Sequence, residues 1–163
     1  MTVGKRRRGR EMALQMLYQR ELGGCTLDEI FASYSLEDFE SEVDLGHSAG
    51  SSAERRQIET AFLYAQRLVA EIARRAAEID SQICRHAANW RVERMPVIDR
   101  NILRIAICEV LDRDVPWPAI VDEAVELAKR FGSKESGRFV NGILDAVIRA
   151  EDATLHAESL AET

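Results

Sequence analysis

Residues 51–86 read SSAERRQIETAFLYAQRLVAEIARRAAEIDSQICRH, and this stretch decides the fold class. Its apolar residues Ile58, Phe62, Ala65, Val69, Ile72, Ala76, Ile79 and Ile83 recur at alternating spacings of four and three. That period lays one apolar stripe along a helix and leaves Arg74, Arg75 and Glu78 facing out. Ser51 and Glu54 have the spacing of a capping box, so the segment is predicted to start there as one helix, or as two with a bend. A coiled coil shares the period, but one such stretch among other apolar helices is expected to pack within its own chain.

On the C-terminal side, Pro96 resets the chain. Val97–Leu111 is apolar nearly all round (Ile98, Ile102, Leu103, Ile105, Ala106, Ile107, Val110), which predicts a central buried helix. Glu109, within it, is expected to pair with a buried Arg or an amide. Asp114–Pro118 should form an extended turn, because a residue before proline is pushed out of the helical region. A helix from about Ala119 to Phe131 follows, stopped by Gly132, and then a last helix capped by Ser133 or Ser136 with Phe139, Val140, Ile143, Leu144, Val147 and Ile148 inward. Gly142 within that helix is expected to serve close helix packing. The tail 151–163, beyond Ala150, is expected to fray.

On the N-terminal side, a first helix should run from near Gly9 to Leu22, with Ala13, Met16 and Leu17 inward and Gly23-Gly24 ending it. Thr26 with Glu29 predicts a second capping box and a short helix. Residues 35–52 are acidic and rich in Ser and Gly, and read as a loop with a helical turn near Leu36–Phe39. No strand pattern occurs. The expectation is an all-α protein of about seven helices, a single domain over 1–150 whose length leaves room for two packed helical halves.

Charge is distributed unevenly. Residues 1–20 carry Lys5, Arg6, Arg7, Arg8, Arg10 and Arg20 against Glu11 alone, whereas 21–52 carry eight acids and no Lys or Arg. With a net charge of −6, this argues for a local anionic partner over general attraction to nucleic acid. The basic run is followed by Glu11, Gln15, Gln19, Arg20 and Glu21 in place of an apolar run, so it is not expected to open a secretory signal. No apolar stretch approaches the ~18 residues that span a bilayer, so no membrane role is expected. Three cysteines, Cys25, Cys84 and Cys108, imply no disulfide framework and a reducing, cytoplasmic setting, with Cys84 and Cys108 acting as small hydrophobes in helices. His47, His86 and His156 are scattered, and Gly132-Ser133-Lys134 lacks the upstream glycine of a phosphate-binding loop. No catalytic constellation, metal site or cofactor is expected.

Arginine suits phosphate because its planar fork donates two parallel hydrogen bonds and its face stacks on bases. From composition alone, the Lys5–Arg10 arm serves equally as an anion-binding element or as a solubilising tail. The Phe131–Phe139 segment, with Lys134 and Arg138, reads as a helix–helix connection with Phe139 in the core. Tyr18 could pack inward or present its hydroxyl, and Asp99 interacts favourably with the N-terminal end of the central helix.

Several blocks together resemble the NusB family of transcription antitermination factors: Arg6-Arg7-Arg8-Gly9-Arg10-Glu11 with Ala13, Gln15, Leu17 and Tyr18; Asp99 to Ala106 with Glu109-Val110; and Val115-Pro116, Ile120 to Gly132 and Phe139 to Leu144. They occur in the family's order and reach from Arg6 to about Arg149. Asp122 stands where many relatives carry Asn, and residues 25–52 match no motif. The resemblance implies two packed helical bundles, binding to single-stranded boxA RNA, and a partner, NusE, which is also a small-subunit ribosomal protein. It further implies a place in the RNA polymerase antitermination complex, notably on rRNA operons. By motif, Arg6, Arg7, Arg8, Arg10, Arg138 and Phe139 would contact RNA, and Tyr18 and Asp99 would face NusE. Family members occur as monomers and as homodimers, and the sequence leaves both open. Two other classes compete with this reading: the NusB-like domain of an RNA cytosine methyltransferase, disfavoured because no strand-rich cofactor fold follows, and a helical protein–protein adaptor.

Overall fold

The computed structural model describes residues 2–34, 52–88 and 90–161. Among these there are seven α-helices and no strand: α1 (Thr2–Gly23), α2 (Leu27–Ser33), α3 (Ser52–Arg74), α4 (Ala76–His86), α5 (Val97–Asp112), α6 (Trp117–Phe131) and α7 (Ser136–Ala161), with a single 3-10 turn at Val92–Arg94. The predicted loop and helical turn between 35 and 51, and the Ser51 cap, lie outside the described residues. The chain divides into two compact units, Met1–Ala73 and Arg74–Thr163.

In the N-terminal unit, α1 buries Met12, Ala13, Leu14, Met16 and Leu17, a wider arc than the expected stripe. It also starts seven residues earlier than predicted from Gly9. Lys and Arg are good helix formers, and no proline interrupts residues 2–9. The Thr26 capping box closes as expected: the Thr26 hydroxyl accepts from the Glu29 backbone N–H at 3.3 Å, and the Thr26 N–H donates to Glu29 Oε2 at 2.7 Å. That second bond holds the Glu29 carboxyl below its usual range. The α3 stripe buries Ile58, Ala61, Ala65, Leu68, Val69 and Ile72, while Phe62 is only half-buried.

The long periodic stretch resolves into two helices, broken at Arg75 (φ −104°, ψ 19°). Neither Pro nor Gly causes the break. Arg75, expected to face out, is instead pinned: its guanidinium donates to Glu78 at 2.8 and 3.1 Å and to Asp112, at the end of α5, at 3.1 Å. Bonding to Glu78 pushes its pKa further up, so the clamp is always charged.

In the C-terminal unit, α5 packs against α4, α6 and α7. It is buried nearly all round, from Asp99 through Val110, as its sequence predicted. Arg104 bridges to Asp80 of α4 through two bonds of 2.8 and 2.9 Å and also donates to Asn101 at 3.0 Å. Arg113 ends α5 in the left-handed region (φ 60°). Helix α6 begins at Trp117, two residues before the predicted start, with Pro118 tolerated in the first turn, where its missing N–H has no intrahelical role. Gly132 stops it, donating to Ala128 O at 2.9 Å.

The structure departs from two further expectations. Helix α7 continues past Ala150 to Ala161. Glu151 accepts from Gln82 of α4 at 3.2 Å, Leu155 is half-buried, and the Glu/Ala-rich composition favours helix. Cys84 is exposed rather than packed; Cys108 is buried, Cys25 half-buried, and all three are free. No helix among the described residues is long and apolar enough to cross a membrane.

Candidate nucleic-acid interface

The basic run is not an extended arm leading into a helix. Lys5 to Arg10 lie in the opening turns of α1 itself, which carries no acidic residue in its first turn. Cations at that end face the positive pole of the helix dipole, an arrangement that an added anion relieves. Arg7 is exposed, and Lys5, Arg6 and Arg8 are half-buried. Arg6 stands 6.0 Å from the centroid of the Tyr64 ring on α3, and Arg67 stands 5.5 Å from the same ring. One tyrosine thereby holds two guanidinium groups by cation–π attraction.

Gly9 sets the closeness of α1 to α3. A Cβ there would come 2.6 Å from Tyr64 Cδ1 and 3.0 Å from the Ala61 carbonyl oxygen. Gly9→Val should therefore destabilise the protein by about 2 kcal/mol despite the entropic cost of a helical glycine. A thermal midpoint lowered by roughly 4–8 °C would show it; an unchanged midpoint would mean that Tyr64 yields freely.

Arg10 separates from its neighbours. It is only 3% exposed and engaged within the protein. It shares the buried i, i+3, i+4, i+7 face with Ala13, Leu14 and Leu17, so unlike Arg6, Arg7 and Arg8 it reaches an RNA phosphate only by leaving that face. Tyr18 is 40% exposed and so presents its ring outward. Asp99 is 4% exposed and lies in the first turn of α5, where a carboxylate interacts favourably with the helix N-terminal end.

In the C-terminal unit, the connection between α6 and α7 is tightly made. Ser136, almost fully buried, accepts from the Ser133 backbone N–H at 2.8 Å and lies 3.1 Å from the Ser133 hydroxyl. A Cβ on Gly132 would sit 2.6 Å from Ser136 Cβ and 2.7 Å from the Ala128 carbonyl oxygen. Beyond this turn, Lys134 and Arg138 are exposed. Phe139 is half-buried, and its ring packs edge-to-face on Trp90 at 5.9 Å and 64°. It is thus neither a core residue nor a free surface ring. Gly142 departs from the expectation of close packing: it is exposed, and a Cβ added there would meet nothing within 4 Å. It lies on the outer face of α7 with Arg138, Asn141, Asp145 and Arg149.

Arg6, Arg7, Arg8 and Tyr18 thus belong to the N-terminal unit, and Asp99, Arg138 and Phe139 to the C-terminal unit. Sequence reasoning misses Tyr64 and Trp90. Tyr64 follows the apolar Phe62 on α3 without marking itself as a guanidinium partner, and Trp90 lies in a short link where no periodicity exists to read. No group of His, Cys, Asp or Glu among the described residues could hold a metal ion.

The sequence model of the NusB family matches residues 7–149. The transcription antitermination protein NusB of Sorangium cellulosum is 41% identical over 146 residues, spanning 89% of this chain and 92% of that one. Among solved structures, T. maritima NusB aligns at a TM-score of 0.63 and 32% identity, over 88% of this chain and 90% of that one. A crystal structure of the antitermination factors NusB and NusE in complex with double-stranded RNA aligns at a TM-score of 0.67 and 26% identity, over 90% and 97% of the respective chains.

Proposed function

The chain belongs to the NusB family, and from that membership we propose that it is a non-catalytic antitermination factor that binds single-stranded boxA RNA together with NusE. In this reading it joins the RNA polymerase antitermination complex, notably on rRNA operons. The observation that carries the RNA-binding part is the set Arg6, Arg7 and Arg8, held at the dipole-positive end of α1 with no carboxylate in its first turn. Guanidinium groups splayed around that end suit phosphate, and Tyr64 lies beside that of Arg6. Arg138 and Phe139 supply a phosphate contact and an aromatic ring from the C-terminal unit. Tyr18 offers its exposed ring to NusE, and Asp99, in the first turn of α5, is the second residue assigned to that partner.

The test is a titration of labelled single-stranded RNA carrying boxA against a scrambled control, with and without NusE, at two salt concentrations. Preference for boxA, sharpened by NusE and weakened steeply by salt, is the expected result. Binding to NusE with no RNA preference under any condition would reduce the protein to a helical adaptor.

A further inference from the structure

We infer that Trp90, paired with Phe139, is a stacking platform for a base of single-stranded RNA in the C-terminal unit; the inference rests on the RNA-binding reading above and adds to it a residue and a mode of contact. Trp90 is 52% exposed, an unusual position for the largest apolar ring in a chain with ample core. Its exposure is not that of a loose side chain. Its backbone N–H donates to Ala87 O at 3.1 Å, and Ala87 and Val92 on either side of it are buried. The Arg100 guanidinium then staples the next turn, reaching the carbonyl oxygens of Val92, Glu93 and Met95 at 3.5, 3.3 and 3.0 Å. The Phe139 ring packs edge-to-face against the indole. The result is an aromatic surface set in place before any ligand arrives, which reduces the ordering cost of binding.

The neighbouring charge favours nucleic acid. Arg91 follows Trp90, Arg138 precedes Phe139, and Arg94 and Lys134 are also exposed; Glu93 and Glu135 offset only two of these four cations. Aromatic rings interleaved with cations are the chemistry by which unpaired bases are held, the rings taking the bases and the cations the backbone. A platform of this kind accepts any base, because every base has a π-face. Trp90 is therefore assigned to affinity and not to sequence discrimination.

The chain has two tryptophans, Trp90 and Trp117, so Trp117→Phe leaves Trp90 as the sole indole reporter. Titrating that variant with single-stranded RNA, with binding followed independently through a labelled RNA, should quench the Trp90 emission in step with binding. Trp90→Ala should weaken binding about tenfold, equally for boxA and scrambled RNA, and Trp90→Phe should restore most of it. RNA binding with no change in Trp90 emission, or a Trp90→Phe variant as weak as Trp90→Ala, would overturn the inference and leave the RNA-binding reading standing. Absence of RNA binding by the unaltered protein would remove both.

Discussion

Replacing Arg6, Arg7 and Arg8 together with Ala should lower affinity for single-stranded RNA by about a hundredfold or more at about 0.1 M salt, and leave the helical fold intact. Charge-assisted hydrogen bonds to phosphate are each worth about 1.5–3 kcal/mol, so even partial use of three forks reaches that range. The salt dependence gives a second, independent mark. Each phosphate neutralised on a single strand contributes about −0.7 to the slope of log K against log salt, so the triple variant should lose about two units of slope. The fold should persist because none of the three is in the core, alanine is the best helix former, and α1 is held through Met12, Ala13, Leu14, Met16 and Leu17. Filter binding across a salt series with far-UV circular dichroism alongside measures both. Unchanged affinity, or an affinity loss with an unchanged slope, would take these residues out of the interface. Loss of helical signal would mark them as structural.

Gly132→Val should be the most damaging single substitution among the glycines of the C-terminal unit, costing about 3 kcal/mol. At that position even a first side-chain carbon meets Ser136 Cβ at 2.6 Å and the Ala128 carbonyl oxygen at 2.7 Å, and it also meets the Ser136 hydroxyl. The hydroxyl cannot move without releasing the Ser133 N–H it satisfies, and the carbonyl belongs to the last turn of α6. Valine therefore forces a choice between unwinding that turn and expelling a buried serine. Calorimetry should show a melting midpoint lower by roughly 6–12 °C for a chain of this size. Gly142→Ala is the control, since nothing lies within 4 Å of the added carbon; it should be neutral or stabilising by up to about 1 kcal/mol. Equal melting for the valine variant and the unaltered protein would mean that the turn has a second conformation of similar energy.

The helices are legible wherever burial follows a period. The α3 and α4 stripes, the enclosed α5, the Thr26 capping box and the Gly132 stop all follow from spacing, because side-chain direction in a helix is fixed by position. The spacing leaves a bend in this stretch open, but the place of the break at Arg75 is not legible, since one of its anchors, Asp112, lies 37 residues away. The early start of α1 is obscured when a cationic run is taken for an extended arm, although the same residues are good helix formers. Arg10 is readable in principle: the face it shares with Ala13, Leu14 and Leu17 is in the sequence, and its position outweighs its charge. Gly142 is the complementary case, since counting from Val140, Ile143, Leu144 and Val147 places it on the outer face. Trp90 depends on Phe139, some fifty residues on, and only tertiary structure joins them.

Because α1 is already helical from Thr2, the proposed RNA association at its basic end should involve no coil-to-helix transition. Segments that fold as they bind carry the large negative heat-capacity change of newly buried apolar surface, together with an entropic penalty. Here the heat-capacity change of complex formation should be small, and its enthalpy nearly constant with temperature. The free chain and the complex should also show the same amide-exchange protection along α1, with recognition proceeding as docking onto a finished rod.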